Sequence, residues 1–300
     1  MNNIDNIDLL SQYLNSRNKY PFNIISSILD LFNSILIEQV NQLHTKGVKI
    51  DYWQHPMEAL CFKLSSHIAS FRKMLEKSSL PFGNSTLDIF DISSINIICR
   101  AIIENYLTLY HFHFDAIAKD HKEFRFLIYA ISALKNRQLF TPSTNESEIQ
   151  HEKDRIEITK FESHLKSNSY FKNSPLKNQK SYLTTKNARQ LPWTDLLDNS
   201  DLKPEMFKDT WKLQSNYAHS EFLSVLQIRD FMKNPAQLNS STFVMAELVA
   251  IIISITIQNV QELFSEAKEV IELLDEDTKN LLQYFLLVGT KNSMPERSKD

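Results

Sequence analysis

Apolar residues recur at intervals of three and four along most of this chain, a pattern that predicts one helix after another. Pro21 precedes Phe22-Asn23-Ile24-Ile25 and Gly47 stands at a stop position, so a helix is expected from about Phe22 to Lys46. Its stripe is Ile25, Ile28, Leu29, Phe32, Ile35, Leu36, Val40 and Leu43. A second helix fits Met57 to Lys77, and Ser78 to Asn84 reads as a loop. Ser93 or Ser94 caps a third through Ile97, Ala101, Tyr106 and Leu109 to about Phe114, apolar enough to be central. A fourth runs from Asp120 to Leu139 and stops before Pro142. Asn145 caps a charged helix to about Lys166, whose thinner stripe (Ile149, Ile156, Ile158, Phe161, Leu165) suits the periphery.

Residues 167–202 carry the weakest pattern, rich in Ser, Asn and Lys and punctuated by Pro175 and Pro192, and a flexible excursion is expected there. Lys203-Pro204-Glu205 then opens a helix that carries Trp211 to about Met232, with a kink near Tyr217. Ser240 or Ser241 caps a strongly apolar helix reaching Leu274, and a short helix spans Thr278 to Val288. The tail, 290–300, is polar and expected to be disordered. The sum is an all-α, multi-helix bundle of about eight to ten helices. Residues 1–289 form one domain in this reading, built around central apolar helices near 93–114 and 241–268. A few β-branched runs allow a small sheet, but none alternates strongly. No repeat of roughly 30 to 45 residues suggests a solenoid.

Composition narrows the chemistry. Only three glycines occur, Gly47, Gly83 and Gly289, too few for a phosphate-cradling Walker loop or a GxGxxG fingerprint. The formal net charge is −3, so the whole chain is no polycation, though a local basic groove stays open. The one basic-aromatic cluster interleaves Lys166, Lys172, Lys177, Lys180, Lys186 and Arg189 with Tyr170, Phe171, Tyr182 and Trp193. Cys61 and Cys99 sit far apart in apolar segments, as buried, reduced residues would. MNNIDNIDLL has no basic start followed by an apolar run. Phe243 to Ile257 is interrupted by Glu247 and, at about 15 residues, falls short of the roughly 20 that span a bilayer. These features predict a cytoplasmic protein with no membrane partner and no cofactor.

Three constellations offer chemistry. Arg100 and Glu104 lie four apart in an apolar helix and share a face; buried, they must be paired or line a cavity. An internal ion pair between helices and an anion-binding Arg oriented by Glu104 both satisfy that requirement. Asn216-Tyr217-Ala218-His219-Ser220-Glu221, downstream of Lys212, presents a His able to move protons near neutral pH, or one that merely ends a helix. His111-Phe112-His113-Phe114-Asp115, followed by His121 and Glu123, has metal-ligand spacing only between His111 and Asp115. With no HExxH or Glu-x-x-His motif nearby, a wet helix end is the expectation and no metal is assigned.

At Cys99-Arg100-Ala101-Ile102-Ile103-Glu104 and Tyr217-Ala218-His219-Ser220 the chain resembles bacterial all-helical proteins with an Arg-x-x-x-Glu helix and a Tyr-x-His segment. More distantly it is similar to the HEPN superfamily, whose signature is an Arg followed, after four to six positions, by a His. Here Lys212 stands where that Arg would be, and Lys offers a point charge in place of a bidentate fork. The resemblance implies a metal-independent endoribonuclease, or an RNA- or nucleotide-binding effector in bacterial phage defence, acting as a homodimer. It implies His219, Arg100 and Glu104 as catalytic residues, and Lys212, Tyr217 and Asn216 as substrate contacts. The rival reading is a non-catalytic interaction protein or small-anion sensor, with Arg100, Glu104 and His219 in one buried network.

Overall fold

Helix α1 (Leu9–Ser16) begins where the Asp8 carboxylate accepts the Ser11 N–H, and leads through a short 3₁₀ turn, Arg17–Lys19, into α2 (Phe22–Thr45). The computed structural model describes residues 8–184 and 188–291. The chain continues through a 3₁₀ turn, Tyr52–Gln54, to α3 (Pro56–Met74), strands β1 (Ser78–Phe82) and β2 (Ser85–Ile89), and α4 (Ile92–Leu109). Next come α5 (Lys119–Arg137), α6 (Asn145–Ser167), α7 (Ser169–Asn173), α8 (Leu176–Thr184) and α9 (Trp193–Asn199). The chain closes with α10 (Pro204–Ala218), α11 (Phe222–Lys233), α12 (Pro235–Leu263), α13 (Ser265–Glu272) and α14 (Glu276–Gly289). The protein is all-α, with fourteen helices among the described residues rather than the expected eight to ten.

The excess has local causes. α1 is too short for periodicity to announce. Residues 167–202 are not a bare loop: Asn168 caps α7 by accepting the Phe171 N–H, and α8 and α9 follow their prolines. Within the stretch from Ser78 to Asn84, expected as a loop, Ser78–Phe82 pairs with Ser85–Ile89 as an antiparallel hairpin turned at Gly83, φ +61°. Almost all of its residues are exposed, so no alternation marked it. The kink near Tyr217 is a complete break. Glu221 N–H donates to Asn216 O and Ser220 N–H to Tyr217 O, closing α10 with Ser220 left-handed at φ 52°. The apolar helix begins before Ser240, where Asn234 accepts the Gln237 N–H and Pro235 fills the first turn. It ends at Leu263, and α13 restarts after the extended Phe264.

Contacts divide the described residues into two compact units, one of residues 8–49, 57–107 and 197–291, the other of 50–56, 108–184 and 188–196. In the first, α12 is the axis, packed against α2, α13 and α14. α12 is long and apolar enough to cross a membrane by length and composition, and 83% of its most apolar window is buried inside the protein. α14 approaches it so closely that a Cβ on Gly289 would stand 2.0 Å from Ile251 Cγ2. Glu247, the charge that interrupts the apolar run, is 7% exposed and accepts from the Tyr13 hydroxyl and from Arg17 Nε and Nη2 at 2.5 and 3.0 Å. That fork pins α1 onto α12. Cys61 and Cys99 are free and buried, and burial pushes both thiols up to about 12.

In the second unit, α5 packs on α6 and α7 around Trp53, Phe124, Leu127, Ile128, Ile131, Leu165 and Phe171.

Candidate functional site

Two helices of the first unit meet at Arg100. α4 presents Arg100 and Glu104 one turn apart, with Arg100 Nε donating to Glu104 Oε1 at 2.8 Å. α10 presents Trp211, Ser215 and, as its C-terminal cap, His219, at successive steps of four. Trp211 Nε1 donates to Glu104 Oε1 at 3.1 Å, and its ring lies 5.1 Å from the Arg100 guanidinium carbon. Arg100 Nη1 donates to Ser215 Oγ at 3.0 Å. Arg100 Nη2 makes no hydrogen bond among the described residues. The guanidinium is therefore held flat by one carboxylate, one indole and one hydroxyl, with its side chain 18% exposed and one N–H edge open.

His219 follows Ser215 by one turn, about 6 Å along the axis, and its N–H donates to Ser215 O at 3.2 Å. Its ring is exposed and makes no hydrogen bond or ion pair among the described residues. The sealed Arg-Glu-His network of the rival reading is thus only half formed: Arg100 and Glu104 are tied together, and His219 stands outside.

The other expected contacts fall differently. Lys212 is exposed and only loosely paired with Asp209 at 3.7 Å, so its ammonium is available. Asn216 spends its amide on the Lys212 and Leu213 carbonyls. Tyr217 is 5% exposed, and burial pushes its hydroxyl up to about 12, which suits a packing residue. Trp211 and Ser215 join the site only through the meeting of α10 with α4, although 211, 215 and 219 form a helical stripe visible in the chain.

The His111–Asp115 segment is no wet helix end. Tyr110–Phe114 form a buried π turn that Asp115 caps, His111 5% and His113 1% exposed. Arg125 Nη1 donates to His111 O at 2.8 Å and to Asp115 Oδ2 at 2.7 Å, and Lys122 Nζ donates to His113 O at 2.9 Å. These cations close the turn from a neighbouring helix, something no local pattern shows. Burial first, and then Arg125 beside His111 and Lys122 beside His113, holds both imidazoles down at about 3. Among the described residues no group of three or more His, Cys, Asp or Glu side chains is arranged to hold a metal.

No protein-family model matches the chain, and no curated protein and no solved structure is significantly similar to it.

Proposed function

We propose that this protein is a HEPN-like, metal-independent endoribonuclease, an RNA-acting effector of bacterial phage defence working in the cytoplasm as a homodimer. The observation that carries the reading is an exposed, unpaired imidazole one helical turn beyond the hydroxyl that the Arg100 guanidinium grips. In this reading His219 takes the proton of an RNA 2′-hydroxyl as that oxygen attacks the adjacent phosphate; the P–O5′ bond breaks, a 2′,3′-cyclic phosphate forms, and the released 5′-oxygen takes a proton from water. The open N–H edge of Arg100 meets the charge gathering on the phosphate oxygens, and Glu104 and Trp211 fix the fork beforehand. Lys212, one turn before Asn216, attracts the phosphate as a point charge.

The test is RNA cleavage by the purified protein beside His219→Ala, in EDTA, with circular dichroism on both. Cleavage by the wild type and loss of at least about a hundredfold in a folded His219→Ala support the reading. Equal cleavage by the two, or none by the wild type across several RNAs, removes it.

A second reading, a non-catalytic interaction protein, is favoured by one observation. Arg100 and Glu104 already have partners on α10, so the ion pair also serves as a helix-to-helix tie.

A further inference from the structure

The second unit carries exposed lysines that have no ion-pair partner among the described residues. Between Glu162 and Asp195 the chain holds no acidic residue. Lys166, Lys172, Lys177 and Lys180 in that stretch are exposed, and none makes an ion pair among the described residues. Nearby lysines behave otherwise: Lys135 pairs with Glu162 at 2.7 Å and Lys160 with Glu157 at 2.7 Å. The fold fixes where two of the four point. Gln179 Nε2 donates to Lys172 O at 3.2 Å and to Ser174 O at 2.8 Å, tying α8 to the end of α7. Tyr182 and Leu183 pack on the core, so Gln179, Tyr182 and Leu183 mark the inner face of α8. Lys177 and Lys180, three apart, lie together on the outer one.

Beside the α6–α7 junction lies a cavity of about 360 Å³, within the range of small-ligand sites, roughly 300–1,000 Å³. Tyr52, Asp120, Glu123, His164, Asn168 and Ser169 line it. Glu123 accepts from the Tyr52 hydroxyl and Asp120 from the Ser169 hydroxyl, which leaves each carboxylate with acceptor capacity. Carboxylates repel a phosphate but accept N–H groups. A polyanion whose every unit also carries a neutral, flat head rich in N–H donors satisfies both surfaces, and that describes an unpaired nucleotide strand.

We infer that the second unit binds single-stranded RNA, one base seated between Tyr52, Asp120 and Glu123 and neighbouring phosphates of the strand on Lys166, Lys172, Lys177 and Lys180. This goes beyond the proposed cleavage and does not depend on it, because binding is read without turnover.

The experiment is fluorescence anisotropy of a labelled single-stranded oligoribonucleotide on the full chain across a salt series, using His219→Ala as the uncleaving background. Replacing all four lysines with Gln lowers affinity by about tenfold or more and flattens the salt dependence by about 3 in log–log slope. The four side chains are exposed, so circular dichroism is unchanged. Glu123→Ala decides the cavity's part. If a base sits there, affinity falls about fivefold or more at an unchanged slope. Without that contact, deleting a negative charge beside a polyanion strengthens binding, and this outcome overturns the seated base. No binding by the parent chain at low salt, equal binding by the lysine variant, or binding of phosphatidylserine vesicles in place of RNA overturns the proposal.

Discussion

Removing the Arg100 side chain strands its partners unequally. Glu104 keeps the Trp211 N–H, whereas Ser215 loses its donor and the indole loses the cation above it. Arg100→Ala is therefore expected to cost about 1–3 kcal/mol, measured as a fall in the urea midpoint at constant m-value. Arg100→Lys keeps the charge but cannot reach Glu104 and Ser215 together, so it falls between wild type and Ala. His219→Ala removes no partner among the described residues and changes stability by less than about 0.5 kcal/mol. A site makes His219→Ala lose cleavage at full stability, while a bare helix tie makes Arg100→Ala lose stability and His219→Ala lose nothing. The pairing of Arg100 with Glu104 could be read from a spacing of four. Its attachment to Trp211 and Ser215 could not, because more than a hundred residues separate them.

Two junctions depend on backbone geometry. Ser220 adopts a left-handed conformation that glycine adopts without a Cβ penalty, and it ends α10 beside His219. Ser220→Gly is expected to raise stability by about 0.5–1 kcal/mol, visible as a higher melting temperature, with the break retained. Gly289 has the opposite sensitivity. Its place in α14 suits any helix former, but a methyl group would run into Ile251 of α12. Gly289→Ala is expected to destabilise by about 1–3 kcal/mol despite better helix propensity, checked by thermal melting. Both glycine-type positions look ordinary in the chain, since neither φ nor interhelical distance is written in local periodicity. The start of α12 differs, for Asn234-Pro235 is a readable cap and first turn, obscured by the stronger apolar run that follows.

Acid tests the buried π turn and thereby the stability of the chain around it. His111 and His113 titrate near 3 in the folded protein against 6.5 for an unperturbed imidazole. Below 6.5 the unfolded chain binds protons that the folded one refuses, so stability is full above 6.5 and falls as pH drops toward 3. Each of the two contributes a slope of up to about 1.4 kcal/mol per pH unit. Burial lowers His67 and His121 in the same direction. Urea titrations at pH 7 and pH 5, above most carboxylate titration, should show a marked loss. His113→Phe, which can still stack on Trp53 as the imidazole does at 6.3 Å, should lessen it. An unchanged midpoint between the two pH values would mean that protonated imidazoles find solvent in the fold.

The chain by itself determined the all-α class, the course of α2 through α6, and the central place of the apolar helix, because periodicity and caps act within a few residues. It also held the Arg100–Glu104 spacing and the run of lysines without acids. Only the tertiary structure decided what those groups meet. Arg17 reaching Glu247, Arg125 closing the His111–Phe114 turn, Trp211 gripping Glu104 and the cavity at Tyr52 all join residues distant in sequence. The physical reason is that a charge chooses its partner by proximity after the helices have packed, and packing is set by the shape of whole faces rather than by any local pattern.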